Sequence, residues 1–167
     1  ANTLKGGTRV AYGARAIAKG GLQSLPKMTF PGGIMVGCNA GTLNFSKIKG
    51  NHTAMKSGIL AAEVLFEKLN ENSEIGDPVE YKAHFEQSWL YDELYRSRNF
   101  GSVIHKFGNF LGGAYNTLDQ NMFAGKLPFT FTDSTPDHAC LKSAASMQKI
   151  EYPKPDGTLS FDKLSSV

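Results

Sequence analysis

A chain of 167 residues is long enough to bury a core, and 18 Lys and Arg set against 15 Asp and Glu leave no strong electrostatic footprint for nucleic acid. Two cysteines, Cys38 and Cys140, are too few for a four-ligand metal or iron–sulfur site within the chain, and they suggest a reducing compartment rather than a disulfide framework. No uninterrupted apolar run of about 20 residues is present, so the sequence contains no candidate bilayer span.

Taken in chain order, the pattern is that of an α+β protein, mostly helical with a few short strands. It begins without methionine at "ANTLKGG" and stops at "FDKLSSV", which reads as a piece of a longer protein. Residues 1–32 are broken by glycines, and Pro31-Gly32-Gly33 signals a turn before a short buried strand, Ile34-Met35-Val36. The loop Gly37 to Gly50 follows. From Asn51 the periodicity is helical: Met55, Ile59, Ala62, Leu65, Phe66 and Leu69 share one apolar face, and the helix should end in "NENSEIG". A second helix is predicted from Asp77-Pro78-Val79-Glu80, an N-cap, a proline and a glutamate, carrying Tyr81, Phe85, Trp89 and Leu90 towards Arg96. The third runs from Val103 to about Ala124, with Gly125 as its stop and Pro128 beyond. The tail is rich in turns and holds a Pro-Asp-Gly turn in "YPKPDGTLSF".

Two places look built for more than packing. The first is the strand, glycine loop and helix start at Gly37–Thr53. A helix's first amides have no internal partner, its macrodipole puts positive charge there, and glycines let a ligand touch the backbone. Neither common phosphate fingerprint is present, so a tight strand-to-helix turn with incidental glycines stays open beside the binding reading. Gly58, in mid-helix, should mark close approach by another element. His52 in the first turn reads as a hydrogen-bonded structural histidine rather than a general acid or base. Cys38 reads as a small apolar filler rather than a reactive thiol. Lys47 and Lys49 either add charge to the loop or are simply solvated.

The second place is the aromatic third helix. Phe107, Phe110, Leu111, Tyr115 and Phe123 lie along or beside one stripe, and "GKLPFTF" extends it. Such a stripe fits a membrane interface, or the inside of an ordinary core.

"PGGIMVGCNAGTLNFSKIKGNHTAMKSGILAAE" resembles the signature of the electron transfer flavoprotein–ubiquinone oxidoreductases. "YGARAIAKGG", "LQSLPKMTFPGG" and the closing "IEYPKPDGTLSFDKLSSV" resemble the same family in the same order, the likeness being weakest between Asn70 and Cys140. The resemblance implies a fragment: 1–70 completing part of an FAD-binding domain, 71–131 a helical region with a membrane-facing helix, and 132–167 a linker towards an iron–sulfur domain. It implies FAD near Gly37, Cys38, Asn39, Gly41, Gly50, Asn51, His52 and Thr53, with the 4Fe–4S cluster and its cysteines outside this chain. No metal ligands are assigned here, and no catalytic residue. Electron transfer flavoprotein and ubiquinone are the implied partners. The implied location is one face of an inner membrane, bacterial or mitochondrial, with Asp119 and Lys106 at its polar side or headgroup level.

Two rivals remain at this stage. A flavin-dependent reductase of the geranylgeranyl reductase type would share the loop-to-helix element but not the "YPKPDG" phrase. A non-enzymatic peripheral membrane module would use the glycine corner for an anionic headgroup.

Overall fold

Pro31 and Gly32, the latter at φ 81°, turn the chain back on itself between β1 (Thr29–Phe30) and β2 (Gly33–Ile34). The two strands pair antiparallel, Thr29 opposite Ile34, and Met35 N donates to Met28 O at 2.7 Å to extend the ladder by one bond. These contacts come from a computed structural model that describes residues 5–8, 10–11, 13, 16–71, 76–149 and 151. The chain divides into two bodies, residues 17–134 and residues 1–16 with 135–167. In the second, the described residues include two 3-10 turns, Asp137–Cys140 and Ala144–Ser146. The "YPKPDG" turn lies outside the described residues. Everything below concerns residues 17–134.

Among the described residues, five α-helices follow the hairpin: α1 (Gly37–Ala40), α2 (Asn51–Asn70), α3 (Glu80–Glu86), α4 (Trp89–Arg96) and α5 (Phe100–Asn121). With only two short strands among the described residues, the expected mostly helical α+β class is what the chain adopts. The core gathers Met28, Ala40, Leu60, Ala61, Val64, Tyr81, Phe85, Leu90 and Leu94. Tyr81 is sealed inside, its hydroxyl donating to Ser57 O at 3.4 Å, and burial pushes its pKa up to about 12.

The start and end of α2 fall where the pattern put them, but its buried face does not. The inward face is Thr53, Ser57, Leu60, Ala61 and Val64, whereas Met55, Ile59, Phe66 and Leu69 are between 49% and 69% exposed. Small residues win the core side because α1 and α3 approach that side closely, and periodicity alone cannot tell a face that packs within these residues from one left open. Gly58 is no contact point: a Cβ there would meet nothing within 4 Å.

The second predicted helix is really two. Ser88 is extended at φ −89°, ψ 155°, and its hydroxyl donates to Phe85 O at 2.7 Å, which ends α3 before α4 begins. The break re-aims the chain so that Tyr81 and Phe85 from α3 and Leu90 and Leu94 from α4 enter one core, leaving Trp89 47% exposed. Asp77 does not cap α3. Its carboxylate takes the Lys27 ammonium at 2.7 Å, and α3 begins only at Glu80.

The third predicted helix is also broken. Gly108 stands at φ 72°, ψ 179°, outside any helical conformation, and the two arms of α5 fold against each other. Asn116 Nδ2 donates to Phe100 O at 3.0 Å, and a Cβ on Gly112 would come within 2.8 Å of the Ile104 Cα. One long amphipathic rod becomes a helical hairpin with Gly108 at its tip. Gly125 ends the segment as expected, at φ 71° with its amide donating to Asp119 O at 2.9 Å.

Only glycine occupies the Gly108 region of φ and ψ without strain. Gly108→Ala should therefore lower stability by about 1–3 kcal/mol. Gly113→Ala, on the same arm with open space around it, should be neutral or mildly stabilising. Chemical denaturation of the two variants side by side tests the hairpin.

Candidate functional site: the loop-to-helix corner and the hairpin base

The corner is assembled from both ends of the Gly37–Gly50 loop. Gly37, at φ 64°, directs its amide onto Ser57 Oγ at 2.8 Å, and a Cβ there would press on the Ala54 Cβ at 3.2 Å. Here the close approach that glycine permits is to α2 itself. The α1 turn then closes through Gly41, at φ 85°, whose amide donates to Cys38 O at 3.1 Å, and through Thr42 N to Gly37 O at 3.2 Å. At the far end, Gly50 lies beside Leu43 and the Cys38 sulfur, 2.8 and 3.6 Å from where its Cβ would stand. The loop therefore returns almost to its origin, and Cys38 and Gly50 sit side by side.

Between them the loop is a narrow arch. Asn44 and Lys49 exchange both backbone hydrogen bonds, at 3.0 and 3.2 Å. Asn44 is 1% exposed and its Oδ1 accepts from Ser46 Oγ and Lys47 N. Ile48 takes φ 52° at the arch's tip, an uncommon conformation for a β-branched residue, and stays 76% exposed.

From Gly50 the chain enters α2 with no side chain capping it. Ala54 N is the first helix amide to reach a carbonyl, Gly50 O at 2.8 Å, so the amides of residues 51–53 have no backbone partner among the described residues. Asn51 and His52 are exposed, whereas Thr53 is fully buried with its hydroxyl donating to Gly50 O at 2.8 Å. The eight residues expected at a cofactor thus share one corner but differ in access. Gly37, Gly41 and Thr53 are buried, Cys38 and Gly50 are partly so, and Asn39, Asn51 and His52 face outward.

His52 has the structural role expected of it. Its Nε2 lies 2.9 Å from Glu93 Oε1, and its ring stacks parallel on Trp89 with centroids 5.9 Å apart. Glu93, on α4, was missed by the sequence reading. Burial works to raise its pKa, but hydrogen bonds from His52 and Asn44 and the Lys47 charge together outweigh that and hold the carboxyl below its usual range. Because the folded pKa is the lower one, this link contributes stability above the carboxyl's unfolded pKa and loses it as pH falls through the folded value.

At the base of the hairpin lies a second constellation that the sequence did not disclose. Arg98 is 6% exposed and, among the described residues, faces no carboxylate within ion-pair distance. All five of its N–H donors are used. Nε donates to Thr130 Oγ1 at 2.9 Å, Nη1 to Tyr95 O and Gly125 O at 2.8 and 2.9 Å, and Nη2 to Leu127 O and Phe129 O at 2.6 and 3.2 Å. Its plane rests on the Tyr95 ring, 3.9 Å from the centroid. Beside it Asn99 donates to Phe129 O and accepts from Phe131 N, at 3.0 and 2.8 Å. Together these hold Phe129 and Phe131 against Tyr115 and Phe107.

Of the five residues expected at a membrane, Phe110 and Leu111 are 88% and 63% exposed at the hairpin's tip, with Phe107 and Phe123 at 43% and 48%. Tyr115 turns inward instead, and Asp119 is buried rather than at a polar rim. No described helix is long and apolar enough to cross a membrane.

No established family profile matches the chain. Individual relatives do. Over 165 residues, 98% of this chain, it is 66% identical to the electron transfer flavoprotein-ubiquinone oxidoreductase of Pseudomonas aeruginosa, covering 30% of that protein. It is 50% identical to the mitochondrial electron transfer flavoprotein-ubiquinone oxidoreductase of Bos taurus over 99% of this chain and 28% of that one. A probable electron transfer flavoprotein-ubiquinone oxidoreductase of Acinetobacter baylyi is 50% identical over 98% of this chain and 32% of its own length. Over nearly its full length the chain is therefore homologous to one segment of an oxidoreductase. All three relatives carry the name electron transfer flavoprotein-ubiquinone oxidoreductase, and the chain spans about 30% of the curated relatives it matches.

Arg98→Lys keeps the charge but removes the planar fork, leaving backbone carbonyls unsatisfied. It should lower the unfolding free energy by about 3 kcal/mol, read from urea denaturation.

Proposed function

We propose that this chain is the flavin- and membrane-side portion of a longer electron transfer flavoprotein–ubiquinone oxidoreductase, with FAD seated at the loop-to-helix corner. The observation that supports this most is the uncapped start of α2. Three amides without backbone partners stand at the head of a 20-residue helix, beside the glycine-lined loop, in a segment with 66% identity to a protein of that name. These residues fit a flavin's polar edge. Residues 51 and 52 are exposed and their amides, without backbone partners, offer hydrogen-bond donors, beside Gly50, whose lack of a side chain lets Leu43 and the Cys38 sulfur pack close. Asn39 is exposed on α1, and its amide would offer hydrogen bonds to hydroxyls of the ribityl chain.

FAD, when bound, supplies the acceptor for electrons arriving from reduced electron transfer flavoprotein. The chain's own residues set the field around it. The α2 dipole and the amides of residues 51–53 concentrate positive charge at the helix head, and would stabilise negative charge on a flavin held there. Thr53 acts through Gly50: its hydroxyl fixes the carbonyl that precedes the first amide, and so the aim of the whole turn. In the complete enzyme a 4Fe–4S cluster held outside this chain would supply the further electron carrier on the way to ubiquinone. No group of three or more His, Cys, Asp or Glu with metal-site geometry occurs among the described residues.

The hairpin supplies the membrane contact. Phe110 and Leu111 project from its tip beside Gly108, Phe107 flanks them, and Lys106 lies 5.9 Å over the Phe107 ring as a cation at the apolar margin. An apolar tip on a rigid, Arg98-clamped base suits shallow insertion at one face of an inner membrane. The open face of α2, with Met55, Ile59, Phe66 and Leu69, is covered in this reading by the remainder of the longer polypeptide.

The primary test is the absorbance spectrum of the full-length protein before and after a reductant. Flavin bands with a broad iron–sulfur shoulder, both bleaching, are expected; flavin alone would favour a reductase without a cluster, and a colourless protein would end the flavin reading. Within that protein, Thr53→Ala should lower the flavin midpoint potential by the equivalent of about 1 kcal/mol, followed by spectroelectrochemistry. Phe110→Ser with Leu111→Ser should cut sedimentation with phospholipid vesicles at least tenfold while leaving the flavin spectrum unchanged, because about 2 kcal/mol or more of apolar burial is lost.

A further inference from the structure

The two ends of the Gly37–Gly50 loop are fixed by packing, Gly37 through Ser57 and Ala54, Gly50 through Leu43 and Cys38. Neither contact reaches the arch's tip or the exposed residues 51 and 52 that open α2, and that turn has no side-chain cap of its own. Both are instead held from α4. Glu93 Oε1 takes Asn44 Nδ2 at 2.6 Å and lies 2.9 Å from His52 Nε2, with Lys47 Nζ at 3.6 Å. A single oxygen therefore joins the buried residue that organises the arch to the first turn of the helix. Trp89, one turn earlier on the same face of α4, stacks on the other side of His52.

We propose that Glu93 is a positioning residue for the flavin corner: it ties Asn44 to His52, so that the arch and the unpartnered amides of residues 51–53 hold one arrangement before cofactor arrives. This rests on the flavin reading given above. The advantage is preorganisation. A corner already ordered loses less conformational freedom when it binds, and that difference appears as slower release. Glu93 itself need touch nothing but protein.

The geometry separates position from charge. Gln at this site keeps an oxygen that accepts from Asn44 and from a His52 tautomer protonated at Nε2, but carries no charge. Ala keeps neither. Glu93 also lines an open cleft of about 400 Å³ together with Asn44, Lys47, Trp89, Asp92 and Arg96. Truncation therefore opens onto solvent instead of leaving a sealed void in the core, and the Ala variant should fold.

The experiment uses the full-length protein as wild type, Glu93→Gln and Glu93→Ala. Flavin release is followed by the fluorescence of freed cofactor, and amide hydrogen exchange is followed at residues 44–54. In Glu93→Ala, release should accelerate about tenfold and exchange across 44–54 by a similar factor, with exchange in α3 and the hairpin unchanged. Glu93→Gln should restore both to within about threefold of wild type, as retained hydrogen bonds require. Wild-type release and exchange in Glu93→Ala would overturn the proposal. So would a Gln variant as impaired as Ala, since the residue would then act by its charge. A wild-type protein without flavin would defeat the reading on which this rests, while the exchange comparison would still decide whether Glu93 orders the corner.

Discussion

The corner depends on how closely α1 can approach α2. Gly37 N to Ser57 Oγ, with Ala54 pressed against the space where a side chain would stand, brings the end of the β-hairpin directly onto the helix. That contact sets where the loop starts, so it sets where the loop must return. Cys38 and Gly50 are brought together by it, and the head of α2 opens beside them rather than into the core. A larger residue at position 37, 54 or 57 would separate the elements and leave the amides of residues 51–53 facing no coherent wall. Small side chains on the inner face of α2 are therefore a condition of the site and not merely a packing preference.

The hairpin is organised on a different principle. Its outer surface is apolar and its inner surface is held by polar atoms: Asn116 to the Phe100 carbonyl, Gln120 to the Arg96 carbonyl at 2.9 Å, and the Arg98 and Asn99 bonds to the 125–131 segment. Because side-chain amides bonded to main-chain carbonyls hold the arms, the tip side chains are free to face outward without loosening the structure. Buried polar atoms without a hydrogen-bond partner among the described residues, Asn116 Oδ1 and Asp119 Oδ1, lie on the same arm. They mark the inner face as polar as well as packed, which an apolar stripe in the sequence does not show.

Much of this could be read from residue patterns, and the failures share a cause. The start of α2 at Asn51 after Gly50 was legible because the signal and the boundary coincide, whereas the Asp77-Pro78 signal lies ahead of α3, which begins at Glu80. The turn at Pro31-Gly32 and the stop at Gly125 were legible for the same reason. Helix interruptions were not. Ser88 and Gly108 each sit inside an unbroken apolar period, and only tertiary contacts, Tyr81 with Leu90 in one core and Gly112 against Ile104, favour the break over a continuous rod. Burial of α2 was inverted because its large apolar residues and its small ones lie on different faces, and close approach selected the small ones. In the corner, the glycines and His52 stood out by type. Glu93 did not, since an isolated glutamate on an amphipathic helix looks like any solvated charge until distant residues converge on one oxygen.

Arg98 reads the course of the main chain and not the identity of the residues that form it. Four of its five acceptors are backbone carbonyls, at Tyr95, Gly125, Leu127 and Phe129, and only Thr130 contributes a side chain. Positions 127 and 129 can therefore change their side chains without releasing the clamp, provided the backbone keeps its path. The surface that these residues present can be retuned by mutation while the scaffold beneath it stays the same.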